Sequence, residues 1–445
     1  MRRNFTLNNP VAMPVEQVVA VRALSIVLML VVLNFAYNQG MAVAGYGFPF
    51  TSFLVTPTDQ FADYFKFILS LPGGKQIIPS NLLGLHDQIH MYQINNPYFG
   101  IDGFASHSLT HLHAAPLTML FCLVSVRIMR VADPTILFLL TSLVLLGWWC
   151  WIGMRFAVRG GEGLCWVTLG LISYPVVLMV TRGNVYAAAA AFFIVQALLL
   201  SYQDKSPVLS ATLLALAVCI RPNAIIFAAP VIAMVSRDRI KQMISLGTTL
   251  TLVSTASLIA SHALYPDYTL ENFLAGLHSY YDHYVVQDMG MAYGSSLYGG
   301  LRLLFGYISG LDRVAAVPSL LIVVLGAYCW YRYELRRSSL VFLTCAAYCL
   351  GSTVLADYHI FVFIAVPMMV AHEARTEIVR ARDWIAVITS CLILAPKNYL
   401  FSGDASWQVV INPIIILIAA ATVIALQLRS KTGGRKEEQL VSVAY

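Results

Sequence analysis

The chain has 445 residues, 59% of them apolar and only 11% charged, with a mean hydropathy of +0.73. A soluble domain is roughly half apolar and about a quarter charged, so this composition excludes a soluble globular enzyme and describes a protein immersed in lipid. The formal charge of +6 does not indicate a nucleic-acid partner, because the basic residues fall in short clusters between apolar runs, where they report orientation in a membrane.

Arg2 and Arg3 precede the first apolar run without a small-residue cleavage site after it, which predicts a retained signal-anchor helix. Runs long enough to cross a bilayer core of about 30 Å are read near 23–41, 113–129, 134–156, 163–181, 184–201, 206–235, 243–264, 316–333, 338–355, 358–373, 384–399 and 407–428. They predict an all-α polytopic membrane protein of about twelve transmembrane helices. It forms a single integral membrane domain over 1–445, with both termini cytoplasmic and a basic cytoplasmic tail at 429–445.

The first outer loop, 42–112, carries "TPTDQFADYFKF", in which Asp59 and Asp63 lie four residues apart and Phe67 one further turn on. On a helix the three share a face. Two carboxylates this close suit a general base for a hydroxyl group; the plain alternative is an amphipathic loop helix whose acids face water. A donor such as a lipid-linked sugar phosphate asks for one base only, because its leaving phosphate needs no protonation. Glycoside hydrolysis, by contrast, divides acid and base between two carboxylates. The departing phosphate needs positive charge or oriented N–H groups instead, and the candidates are Arg182 in "TRGN", Arg221 in "CIRPNA", Lys66 and Lys75.

The loop closes on "SHSLTHLHAAP", with His107, His111 and His113. His107 and His111 have helical spacing for a shared metal, but no neighbouring acid completes a set, so no metal and no cofactor are assigned. The run 206–235 is too long for one straight span and holds Arg221-Pro222 at its centre, where proline interrupts the helix ladder. It is read either as one kinked span or as two half-helices. In the second case 113–129 stays on one side of the membrane, and "RGN" and "RPN" both face outward.

The second outer loop, 265–315, is aromatic and histidine-rich, so membrane-parallel helices are expected in both long loops. Near the C-terminal third, "ADYHIF" places Asp357, Tyr358 and His359 in a tight turn on the same outer side. The eight cysteines sit in or beside apolar runs with neither disulfide nor zinc spacing. P-loop, GxGxxG, GxSxG and HExxH signatures are absent, which leaves ATP-driven transport without support.

The order of these features resembles the polyprenol-phosphate-mannose-dependent glycosyltransferases of the GT-C superfamily. It runs from a first span and an outer loop opening on an acidic-aromatic helix, through "NPY" before the next span, to "RGN" and "RPN". The likeness is best over 23–240, and "DYHIFVFIAVP" is similar to a late segment of that family; Arg182 departs from its pattern. The resemblance implies a GT-C-type bundle and an inverting glycosyltransferase. It would move mannose or a similar sugar from a polyprenyl-phosphate donor to a lipid-linked or glycan acceptor, at the periplasmic side of a bacterial inner membrane.

In that family an aspartate of the first outer loop is the base, usually with an aromatic four residues on; this favours Asp63, with Asp59 second. Substrate contacts are expected from Arg221, Arg182, Asn184, Asn223, Lys66, Tyr64, His111, His113, Tyr358 and His359. Two rival readings are a transporter or flippase, disfavoured by the near absence of intramembrane acids, and a lipid-linked oligosaccharide polymerase or ligase. The latter would draw on His278, His283, Arg302 and Arg313 of the second loop.

Overall fold

A computed structural model describes residues 62–71, 112–157, 160–235, 238–286, 294–353, 357–395, 401–402, 405–406 and 408–443, with isolated positions between 29 and 44. Asp59, His111 and most of the first outer loop lie outside the described residues. Among those described, the fold is helical apart from a two-residue antiparallel ladder, β1 (Phe401–Ser402) with β2 (Ala405–Ser406).

Helix α1 (Ala62–Ser70) is followed by α2 (Pro116–Met129) and α3 (Pro134–Phe156). Asp133 starts α3 as its N-cap, accepting from the backbone N–H groups of Thr135 and Ile136 at 2.8 and 3.2 Å. Next, α4 (Gly160–Ile172) and α5 (Tyr174–Arg182) form one apolar run bent by 56°. The bend lies at Ser173, whose hydroxyl donates back to the Gly170 carbonyl at 2.7 Å, and Pro175 supplies no N–H to continue the ladder.

The chain then descends through α6 (Val185–Tyr202) and rises through α7 (Pro207–Ile220), joined by a 2.6 Å contact between the Ser201 and Ser210 hydroxyls. At Arg221-Pro222 it reverses, and a 3-10 turn (Pro222–Phe227) and α8 (Ala228–Ala233) run back down. Contacts at both ends fix this course. Gln242 donates to the Ser201 hydroxyl and the Val231 carbonyl, each at 3.3 Å, while the Ile220 carbonyl at the opposite end accepts from Thr118 at 3.4 Å. Segment 206–235 is therefore two half-helices rather than one kinked span, as the residue before a proline favours extended backbone (Arg221 has φ −138°, ψ 93°).

Helix α9 (Arg239–Leu264) returns to the upper end, where α10 (Leu270–Tyr281), a π turn (Asp282–Val286) and α11 (Leu297–Phe305) cover it. Helix α12 (Leu311–Tyr333) descends, α13 (Arg337–Gly351) ascends, and a 3-10 stretch (Asp357–Ile364) continuing into α14 (Ala365–Glu373) descends again. Then come α15 (Ala381–Leu394) and α16 (Gln408–Val443).

Against the twelve spans expected, five helices among the described residues are long and apolar enough to cross a bilayer. They are α3, α6, α9, α12 and the 409–429 part of α16, with a sixth if the bent α4–α5 pair counts as one. The expected span 23–41 lies almost wholly outside the described residues, and elsewhere several apolar runs fold as short or broken helices. Thus 113–129 yields the 14 residues of α2, 206–235 reverses at its middle, and 358–373 is half 3-10.

The main core is packed at near-contact distances. Trp149 of α3 meets Phe361 edge-on at a centroid distance of 4.9 Å and Phe192 at 5.9 Å, and its indole N–H donates to the Val167 carbonyl at 3.2 Å. Gly170 makes room for that indole: a Cβ added there would lie 2.1 Å from Trp149 Nε1. The added methyl cannot be absorbed by a buried, hydrogen-bonded ring, so overpacking, at about 1–3 kcal/mol, outweighs the roughly 1 kcal/mol that alanine gains over glycine in a helix. Gly170→Ala is expected to lower the melting temperature of the detergent-solubilised protein. Gly147→Ala, on α3 with nothing within 4 Å of the new atom, is expected to leave it unchanged or raise it.

Candidate functional site

Helix α1 is short, and packing fixes its orientation. Tyr64, Phe65 and Ile68, with Leu71 just beyond the helix, are buried at 2% exposure or less against Met119, Cys122 and Phe138. With that face held, Asp63 is turned toward the α5–α6 junction. Its Oδ1 accepts from Arg182 Nη2 at 2.7 Å and from Nε at 3.1 Å; its Oδ2 accepts from Asn184 Nδ2 at 3.1 Å and from the Tyr358 hydroxyl at 3.3 Å. All four are donors, so the group they hold is a carboxylate. The ion pair is four-fifths buried, with side chains 17% and 18% exposed, a setting in which charge-assisted hydrogen bonds are stronger than on an open surface.

"RGN" accounts for this junction residue by residue. Arg182 ends α5 and grips the carboxylate. Gly183 takes the left-handed conformation, φ 72°, that closes the helix and that a side chain rarely adopts. Asn184 has two duties. Its Oδ1 accepts from the Ala187 N–H at 2.9 Å as the N-cap of α6, and its Nδ2 donates to Asp63.

"RPN" lies across the same space. Arg221 is half-buried at the reversal, against the Tyr348 hydroxyl, and its Nε has no hydrogen-bond partner among the described residues. His359 is 3% exposed with Nε2 likewise unpartnered, and it is electrostatically close to Arg221. Tyr358 senses Asp63, Arg221, Arg182 and Tyr280 together. Asn223 is exposed and donates to the Ser352 hydroxyl at 3.4 Å.

Seven of the expected residues thus converge: Asp63, Arg182, Asn184, Arg221, Tyr358 and His359 directly, and His113 through a ring stack on Tyr280 at 4.2 Å and 19°. Tyr64 does not; it is fully buried among Phe65, Phe138 and Tyr186 and serves to anchor α1. The Lys66 side chain lies outside the described residues, as do Asp59 and His111. Among the described residues no three His, Cys, Asp or Glu side chains gather around one point.

Two residues were missed from sequence. Tyr280 of α10 lies within electrostatic reach of both Arg221 and Asp63; burial raises its hydroxyl above the ordinary value, Arg221 opposing and Asp63 adding, so it stays a neutral O–H. Tyr348 was hidden inside an apolar run, and its only signal was a hydroxyl in the otherwise apolar stretch "CAAYCLG".

Residues 113–356, more than half of the chain, match the family described as glycosyltransferase family 87. The chain belongs to glycosyltransferase family 87. Its members are GT-C-type membrane glycosyltransferases, so the bundle carries a glycosyl-transfer site. No curated protein and no solved structure matches the chain. Within the family 87 segment fall His113, Arg182, Asn184, Arg221, Tyr280 and Tyr348; Asp63, Tyr358 and His359 lie on either side of it and are brought in by the fold.

The two duties of Asn184 can be separated. Asn184→Ser keeps a good N-cap but cannot reach Asp63; the expected outcome is near-native thermal stability with glycosyl transfer reduced roughly ten-fold or more, the scale of a hydrogen bond to a charged group. Asn184→Ala loses both contacts and is expected to cost about 1 kcal/mol of stability besides.

Proposed function

We propose that this family 87 protein is an inverting transferase that takes a sugar, mannose or a similar hexose, from a polyprenyl-phosphate donor. It passes the sugar to a lipid-linked or glycan acceptor at the outer face of the membrane, the periplasmic side of a bacterial inner membrane. The observation that carries the reading is the division of the site into an acceptor end and a donor end. Asp63 is a carboxylate oriented by three side chains. Beside it, Arg221 and His359 present nitrogens without partners among the described residues.

The acceptor hydroxyl replaces the longest contact of Asp63, that with Tyr358, and hands its proton to the carboxylate as its oxygen attacks the anomeric carbon. The bond from that carbon to the phosphate oxygen breaks, and the polyprenyl phosphate leaves as an anion against the Arg221 guanidinium and the His359 ring. No general acid is required, which is why a single carboxylate suffices. Tyr280, stacked on His113, offers an aromatic wall beside the sugar. Buried nitrogens without partners cost about 1–3 kcal/mol each, and a phosphate oxygen offsets that cost.

The test is transfer from a radiolabelled polyprenyl-phosphate sugar by the purified protein in lipid. Asp63→Asn is expected to lower turnover about 10²–10⁴-fold and, because it leaves the Arg182 charge without its partner, to lower the melting temperature as well, whereas Asp59→Asn leaves most of the activity. Full activity in Asp63→Asn overturns the base, and transfer from a nucleotide sugar but from no polyprenyl-phosphate sugar overturns the donor class.

His359→Phe separates function from stability. Removing a buried ring nitrogen that lacks a partner is expected to leave the melting temperature equal or higher. The KM for the donor is expected to rise about ten-fold or more.

A further inference from the structure

A cavity of about 880 Å³ opens at the end of the bundle away from Asp63. Helix α6 separates it from the transfer site: Asn184 caps one end of that helix and Tyr202, at the other, lines this cavity. Eighteen residues at about 1.5 Å each put the two roughly 27 Å apart. The volume is that of a site for a small organic ligand, and nothing in glycosyl transfer at Asp63 uses it.

Its walls are cationic. Four arginines, Arg336, Arg337, Arg380 and Arg382, face three glutamates, Glu334, Glu373 and Glu377. Two of the three acids are already engaged. Glu373 caps the start of α13 through the Ser338 N–H and hydroxyl, at 3.2 and 2.6 Å, and Glu377 pairs with Arg336 at 3.0 Å. Arg336 is likewise spent, on Asp383 at 2.6 Å and the Ile378 carbonyl.

Arg337, Arg380 and Arg382 keep donor capacity for something else. Arg337 holds the Tyr202 carbonyl through Nη1 only. Arg380 is exposed. Arg382 is 95% buried and ion-paired with Asp383 Oδ1 at 3.5 Å, but its Nε makes no hydrogen bond among the described residues. The starts of α13 and α15, with the partial positive charge of a helix N-terminus, border the same space.

The cavity also lies at the depth where spans end. Trp330 and Tyr333 close α12 beside it, in the position that aromatic residues take at a membrane–water boundary, and Arg429 ends the α16 span nearby. A ligand reaching this place is at headgroup level.

We propose that this cavity is a binding site for a phosphate-bearing ligand on the face opposite the transfer site, with Arg337, Arg380 and Arg382 holding the phosphate. The chemistry is shared by an anionic phospholipid headgroup and by a soluble phosphate ester, and the experiment tells them apart. Protein reconstituted in phosphatidylcholine nanodiscs is compared with protein in nanodiscs containing phosphatidylglycerol, and separately titrated with inorganic pyrophosphate, while melting temperature and probe affinity are read.

Stabilisation by phosphatidylglycerol alone assigns a lipid headgroup, and stabilisation by pyrophosphate alone assigns a soluble phosphate; either supports the site. In both cases Arg380→Gln, an exposed change that spares the fold, and Arg337→Gln are expected to weaken binding of the effective probe by about ten-fold or more. Transfer at the Asp63 end serves as the control for folding. Equal affinity in wild type and both variants, or no response of the wild type to either probe, overturns the proposal.

Discussion

The arrangement depends on one ion pair, Asp63 with Arg182. Helix α1 is anchored by its buried aromatic face, and what joins it to the α5–α6 turn is the carboxylate gripped at the end of α5 and the start of α6. The pair draws a loop residue before the family 87 segment, a turn inside it and Tyr358 beyond it to one point. Everything above α6 is then placed relative to that point: the reversal that brings in Arg221, the helix that brings in Tyr280, and the 3-10 stretch that brings in His359.

Behind this cluster, close packing keeps the positions rigid. The bent α4–α5 run is pinned by Ser173 and by Tyr174, whose hydroxyl donates to Asp357 Oδ2 at 3.1 Å; Asp357 also accepts from Ser295, and Asn412 donates to Ser295 at 2.8 Å. These are buried polar groups that satisfy one another, the condition under which such networks rigidify rather than weaken an apolar core. They adjoin the Tyr358–His359 step, so these two residues are mounted on a part of the protein with little freedom to shift.

The sequence made the class of protein and much of the site legible because both rest on local signals. Composition pointed to the membrane, an aspartate on an amphipathic turn pointed to Asp63, and arginines beside glycine or proline at the ends of apolar runs pointed to the side chains that gather around it. The topology was less legible because apolar runs of similar length fold as spans, half-helices or bent pairs, and the choice is made by tertiary partners such as Gln242 and Thr118. Tyr64 and Tyr280 show the same limit. Both are tyrosines in helices near the site, yet one is turned into the core and the other comes within electrostatic reach of Asp63 and Arg221, and only packing tells them apart.

The reversal at Arg221 has a consequence for depth. From the basic end, α7 rises about 21 Å over its 14 residues, and the 3-10 turn with α8 covers a similar distance on the way back. A bilayer core is about 30 Å thick, so a hairpin of this height that enters at one surface covers only about two thirds of it. Placed so, Arg221 at the top of the hairpin lies at the floor of a recess below the opposite surface. A phosphate borne on a long apolar chain can approach such a recess sideways, from within the membrane, without being lifted into water.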